Sequence, residues 1–361
     1  MKERLISFRN KYQKFIMPIA LIGGFVVDIF TLNRIDQFFD NAILITHLVI
    51  VFTTMGMLFK RGPLFGKYVL SPQRRAWIET LMVFSFGALF SGFIIFYTRS
   101  GSLITSWPFL LAMVGLMLAT EFRKKYFQRL SLQIVVLYLA LLSWITFFLP
   151  VVIKKIGPWV FVSGVVISLI FMFGFLLVLR KSNREIFQQY QRNIILAIIS
   201  IAVLFIGLYF TRIIPPIPLS MKYDAVYYDI ERLYPGYAAQ YEKTAWYNIL
   251  RKRSRDIHWR SGEDIFVFTQ IFAPTRLETT INHNWQWYNE AERSWENRDT
   301  ISISISGGRA DGYRGFSRKS QLEYGLWRVK TTTLNGQVLG FTRFEVQPYD
   351  GSLREIVTEQ L

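Results

Sequence analysis

The stretch FVVDIFTLNRIDQFFDN (residues 25–41) sets four ionisable side chains, Asp28, Arg34, Asp36 and Asp40, where an inert membrane anchor would carry only Leu, Val and Phe. A carboxylate at the depth of Asp28 costs about 2.5–3.5 kcal/mol on insertion scales, less near the interface, unless a partner or water satisfies it. Asp36 and Asp40 are four residues apart and share one face of a helix. Arg99, in FYTRSGSLITSWP (96–108), falls on the same outer side and can face them. These five residues form a candidate polar membrane site. Two chemistries suit it: a structural ion-pair network, which must be near charge balance when buried, or a site for a ligand or a proton. The segment SGSLIT after Tyr97-Thr98-Arg99 reads as non-helical backbone, with the next helix starting near Ser106 and Pro108.

A second constellation lies far along the chain. SGGRADGYRGFSRK (306–319) combines glycines with Arg309, Asp311, Tyr313, Arg314 and Lys319; with His283 and Trp285 of HNWQW it makes a candidate binding loop. Such glycines can present backbone amides to an anion, but the same composition is that of a hairpin with a bulge, which is the favoured reading. Trp285, Trp287, Tyr288, Trp295 and Trp327 can form a stacking platform for a sugar. Alternation sets Trp285 and Trp287 on one face, and that face can equally be core.

Signatures of catalysis are missing from the sequence. It contains no GxxxxGK[ST], HExxH, GxSxG or paired CxxC. His47, His258 and His283 are scattered, none at metal-ligand spacing with another, so neither a metal nor a cofactor is expected. Ser220 and Lys222 stand close together, but one such pair occurs often by chance. The expectation is a protein that is not an enzyme.

The elements that must position these groups are of two kinds. Of the 361 residues 52% are hydrophobic and 17% aromatic, and the mean hydropathy is positive, as expected of a chain partly dissolved in lipid. Seven apolar segments, near 15–32, 42–59, 77–97, 102–120, 131–153, 157–179 and 194–214, are each long enough to cross about 30 Å of hydrocarbon. The net charge of +17 does not call for nucleic acid. Residues 220–361 carry 19 Lys+Arg against 18 Asp+Glu, and the remainder 23 against 7. In the short loops 18 of those basic residues fall on one side, and Arg34, Arg99, Lys154 and Lys155 on the other. The positive-inside rule then puts the N-terminus in the cytoplasm and, after seven crossings, the C-terminal part outside. The basic start followed by an apolar run reads as an uncleaved anchor.

IIPPIPLS (213–220) marks the boundary, because its prolines end a helix and favour a stiff extended exit. The expected division is a transmembrane domain over 1–214, a connector over 215–222 and an extracytoplasmic domain over 223–361. DTISISISGG alternates isoleucine with serine at the period of a half-buried strand. GLWRVKTTTLNGQVLGFTRFEV holds two strands about Asn335-Gly336, a pair that predicts a two-residue type I′ hairpin turn. Short strands with regular turn signals predict an all-β, Ig-like sandwich. Without cysteine this domain must rely on its core.

The motifs DIFTLNRID, FGALFSGFIIFYTRSGSL, KIGPWVF, PPIPLS, VFTQIFAPT, HNWQW, GGRADGYRGFSRK, GLWRV and GQVLGFTRFEV span most of the chain. In combination they resemble bacterial polytopic membrane proteins whose C-terminal part is the family named domain of unknown function twenty-nine-fourteen. That resemblance implies a bacterial inner-membrane protein with an exported all-β domain, and it brings no catalytic residues. The expected partners are membrane lipid and either an envelope protein or a cell-wall polymer. The alternative expectation is a transporter or lipid-handling protein using the outer polar cluster.

Overall fold

The computed structural model describes residues 23–32, 36–59, 71–100, 103–122, 130–215, 218–234, 236–244, 253–274, 277–307, 311–351 and 354–361. The chain divides into a helical unit, Met1–Arg99 with Ser106–Ile214, and a β-rich unit, Pro215–Leu361 with Ser100–Thr105. The helices are α1 (23–31), α2 (Phe38–Phe59), α3 (Pro72–Ser100), α4 (Leu103–Phe122), α5 (Leu130–Ile153), α6 (Pro158–Ser182) and α7 (Arg184–Phe210). Five of them, α2, α3, α5, α6 and α7, are long and apolar enough to cross a membrane.

Apolar side chains cover the outside of these helices. Phe30, Phe38, Trp77, Trp159, Ile170, Phe171 and Val203 are all exposed, which in water would be costly and in lipid is not. The inside is built on rings. Tyr97 of α3 touches Phe109 of α4 (4.6 Å between centroids) and Phe147 of α5 (4.4 Å). Phe109 continues to Phe205 of α7, and Phe161 of α6 stacks on Tyr209. Pro158 begins α6 directly after Gly157, where its missing N–H would have no partner in any case. Helix α4 begins at Leu103, with Pro108 inside it. Residues 103–105 of SGSLIT are therefore helical, contrary to the expectation, and 101–102 lie outside the described residues.

Among the described residues eleven strands follow: β1 (Ser220–Tyr227), β2 (Asp229–Leu233), β3 (Gly236–Glu242), β4 (Asp256–Trp259), β5 (Ile265–Phe272), β6 (Glu278–Asn289), β7 (Ser294–Ser306), β8 (Tyr313–Lys319), β9 (Gly325–Thr333), β10 (Val338–Pro348) and β11 (Ile356–Gln360). They form three sheets, ordered β1-β5-β8, β4-β10-β9-β6-β7 and β11-β3-β2. Strand β5, IFVFTQIF, is buried on both faces because it belongs to a middle layer. Ile265 and Val267 pack with Trp285, Trp327, Val329, Phe344 and Val346 of the five-stranded sheet. Phe266 and Phe268 point the other way, to Ile230 and Ala239 of the third sheet. That third layer, and the parallel pairing of β4 with β10, are features an antiparallel two-sheet sandwich does not have. Arg253 fastens it: its guanidinium bonds the Glu359 carboxylate of β11 and lies over the rings of Tyr223, Tyr227 and Tyr241.

The hairpin at Asn335-Gly336 is present, joining β9 to β10. Its turn is not type I′, which needs φ > 0 at two successive residues. Gly336 alone has positive φ, +77°. The Gly336 N–H bonds the Thr333 carbonyl and the Thr333 N–H bonds the Gln337 carbonyl, each at 2.9 Å. This is a three-residue loop ending in a glycine bulge, whose twist also suits the flanking strands. Gly336→Val would force a β-branched residue into the left-handed region, at about 1–3 kcal/mol. The urea midpoint of the β-rich unit should fall accordingly; an unchanged midpoint would refute this account of the turn.

Candidate functional site

In the helical unit, Asp28 sits on α1 and its carboxylate accepts a 2.6 Å hydrogen bond from Ser91 Oγ of α3. Arg99, at the end of α3, donates to the backbone carbonyls of Ile29 (2.9 Å) and Leu32. A guanidinium there satisfies carbonyls that the end of α1 leaves without helical partners, and its charge complements the helix dipole. Asp28 and Arg99 thus both join α1 to α3, through different groups and without pairing with each other. Asp40 is buried in the first turn of α2, and Asp36 is half-buried just before it. Arg34 lies outside the described residues.

The candidate binding loop is rearranged by the β-structure. His283 and Trp285 are fully buried. Successive residues of β6 point to opposite faces, and 281, 283 and 285 take the inner one. His283 bonds Thr269 Oγ1 (3.0 Å) and Ser317 Oγ (2.8 Å), and Trp285 Nε1 donates to the same Ser317 oxygen (3.0 Å). Burial lowers the His283 imidazole to about 4, so it is a neutral core residue.

Tyr313, Arg314 and Lys319 belong to a strand. β8 pairs with β5 and lies in a different sheet from β7, so the expected hairpin of 306–319 is instead a crossover between two sheets. Gly312, at φ +100°, sits where a Cβ would press on the Ile271 backbone; glycine is needed there for close approach of two chains. Arg314 donates to the Leu361 carbonyl oxygen (2.9 Å), and Lys319 lies 3.4 Å from Asp299. Asp311 is exposed in the turn before β8, and Arg309 lies outside the described residues.

The other face of β6 and its neighbours turns outward and gathers polar groups from four strands. Ser302 donates to Asn282 (2.9 Å) and Thr300 to Asn284 Oδ1 (3.1 Å) across β7 and β6. Asn284 Nδ2 in turn donates to Thr332 Oγ1 of β9 (3.1 Å). One row further along, Arg328 Nε of β9 donates to Gln286 Oε1 of β6 (2.8 Å). Its guanidinium lies 4.2 Å from the centroid of the Trp295 ring and 5.3 Å from that of Phe341. Trp295 is tilted against Tyr288 at 5.1 Å, so these two of the five aromatic residues considered above stand on the outward face. Arg343 of β10, paired with Arg328 across the β9–β10 ladder, lies 5.8 Å from the Phe341 ring centroid.

Several arginines elsewhere in the unit, Arg253, Arg298 and Arg318 among them, have acidic partners; Arg354 forms a two-pronged bond with Glu263 (2.9 Å each), which holds that carboxyl below its usual range. His258 and Tyr228 similarly share Glu242, at 2.7 Å each. Arg328 and Arg343 have no ion-pair partner among the described residues. Half-burial, and then the positive charge of Arg343, push the Arg328 guanidinium below its usual value. Such a group gains from an anion in proportion to what it now lacks.

The sequence reading missed Arg328, Arg343, Gln286 and Phe341. The available signal was the alternation in GLWRVK and GFTRF, which sets Arg328 opposite Trp327 and Val329, and Phe341 and Arg343 opposite Thr342 and Phe344. Among the described residues, no group of three His, Asp or Glu side chains is placed to hold a metal ion.

Residues 278–346 match the sequence profile of a family described as protein of unknown function (DUF2914). The matched segment contains β6, β7, β8 and β9 and nearly all of β10, and so all four strands that build the outward polar face. No curated protein and no solved structure matches the chain.

Proposed function

We propose that this is a non-enzymatic protein of a bacterial inner membrane that holds its β-rich unit outside the cytoplasm to bind a cell-wall polymer. The observation that carries the reading is the outward face of the five-stranded sheet, with its amide and hydroxyl rows and two arginines that have no ion-pair partner among the described residues. Two features of the chain support the placement. The five long helices, with α4 (20 residues, about 30 Å) and the apolar segment 15–32, make seven crossings. The split of 18 basic loop residues against 4 orients them with the N-terminus inside. An odd number of crossings then delivers the β-rich unit to the envelope.

A face of this composition suits a polymer better than a protein. Protein interfaces are apolar and poor in charge at their centre; here the centre is carboxamide, hydroxyl and guanidinium. The test is co-sedimentation of the full chain, in detergent, with purified peptidoglycan sacculi. The expected result is saturable binding that weakens as salt rises. Failure of the folded protein to pellet with sacculi would reject the reading.

One observation favours a second reading, a transporter or lipid-handling protein. His47 of α2 has its Nδ1 buried with no hydrogen-bond partner among the described residues, which leaves an acceptor or donor site open inside the helical unit. The first reading is preferred because Asp28 and Arg99 already have partners in Ser91 and the α1 carbonyls.

A further inference from the structure

We infer that the outward face of the five-stranded sheet is a subsite for the acid group of an anionic glycan, with Arg328 and Arg343 as the residues that bind it. The inference rests on the reading of this face as a polymer-binding surface and names the chemistry of the polymer.

The argument begins with what Arg328 still offers. Its Nε–H is taken by Gln286 Oε1, which orients the guanidinium plane and leaves the paired terminal Nη groups without a hydrogen-bond partner among the described residues. Two parallel N–H groups fit two oxygens of one planar or tetrahedral acid, the arrangement for which arginine is best suited. The rings of Trp295 and Phe341 hold the same group against the sheet and keep its conformational freedom low before anything binds. Arg343 stands beside it, exposed, its only described contact the Phe341 ring. Two like charges set side by side repel each other, and an oxyanion between them removes that cost. Glu345, next on this face along β10, forms no ion pair with Arg343 among the described residues.

The rest of the face selects a sugar as the carrier of the acid. Asn282, Asn284, Thr300 and Ser302 are cross-linked by hydrogen bonds into fixed rows, yet a carboxamide has two donors and two acceptor lone pairs, and a hydroxyl both roles. Capacity therefore remains for the neighbouring hydroxyls of a pyranose. The rings of Tyr288 and Trp295, tilted against each other, supply apolar surface against which the C–H face of the sugar rests. The shared ligand chemistry is an acid group on a polyhydroxylated chain. A uronic carboxylate and a backbone phosphate are its two sources.

The experiment measures binding of the full chain in detergent micelles to three soluble polymers: polygalacturonate, poly(glycerol phosphate) and neutral dextran. Arg343→Gln is the informative variant, since the Arg343 side chain makes no hydrogen bond among the described residues; Arg328→Gln is the second. Thermal unfolding of each variant establishes that the β-rich unit is intact. The expected result is binding of at least one acidic polymer, weakened about tenfold by Arg343→Gln, a change of about 1.4 kcal/mol, with dextran bound far more weakly. Which acidic polymer binds tells carboxylate from phosphate. Equal binding of dextran and the acidic polymers, or acidic binding unchanged in both arginine variants, overturns the inference. Sacculus binding that persists in that case leaves the polymer-binding reading standing. Loss of both, or competition for this face by an envelope protein and by no polymer, overturns the two together.

Discussion

Replacing Trp285 by alanine is expected to destabilise the β-rich unit by about 3–5 kcal/mol. The indole is fully buried and meets Trp327 edge-on at 6.4 Å and Phe344 at 6.0 Å. Its removal leaves a cavity between two sheets that cannot slide together, because backbone hydrogen bonds fix the spacing of strands within each. It also takes from Ser317 the N–H that Trp285 Nε1 donates, leaving a buried hydroxyl short of one partner. Urea unfolding of the full chain in detergent should show the β transition at a markedly lower midpoint, with the helical signal unaltered. A Trp285→Ala protein of normal stability that had lost polymer binding would mean that the indole faces a ligand, and the assignment of inner and outer faces would be wrong.

The β-rich unit should also lose stability in mild acid, and His283 should be a principal cause. Folded, its imidazole is held at about 4 by burial; unfolded, it returns to about 6.5. Between those values the unfolded chain binds a proton that the folded one refuses, so stability rises with pH. The contribution is fully present above about pH 6.5, declines as the pH falls towards about 4, and changes little below that. The difference corresponds to on the order of 3 kcal/mol. His283→Gln keeps hydrogen-bonding groups for Thr269 and Ser317 but cannot titrate. Denaturation midpoints of the two proteins, measured from pH 7.5 to 4, should converge as the pH falls. Parallel curves would show that His283 has no part in the acid sensitivity.

The apolar runs and the strand alternation could be read directly because they are local. Burying a helix in lipid or a sheet face in a core requires a given residue type every third or fourth, or every second, position. Thus α2, α3, α5, α6 and α7 occupy apolar segments visible in the sequence, and Ile301, Ile303 and Ile305 lie on one face of β7. The Asn335-Gly336 hairpin was legible for the same reason, although its turn type was not. Whether Asn335 takes positive φ depends on the register of β9 against β10, in which the Thr333 N–H bonds the Gln337 carbonyl and the Thr333 carbonyl accepts from Gly336.

Side-chain roles were harder, since alternation names two faces without saying which one meets a second sheet. His283 and Trp285 looked like binding residues because polar and aromatic groups suit either a core or a site. The middle layer β1-β5-β8, packed over them through Ile265 and Val267, makes them core. The same packing turns Asn282, Asn284 and Gln286 outward. Arg328, Gln286, Trp295 and Arg343 come from four strands and from positions as far apart as 286 and 343. Their meeting follows from the order β10-β9-β6-β7, which no local period encodes. The chain's residue pattern thus contained its lipid-facing helices and its half-buried strands, because each answers to a neighbour one or two turns or residues away. The assembly of the outward arginine face needed strand order and layer packing, because those are settled by contacts between residues remote in sequence.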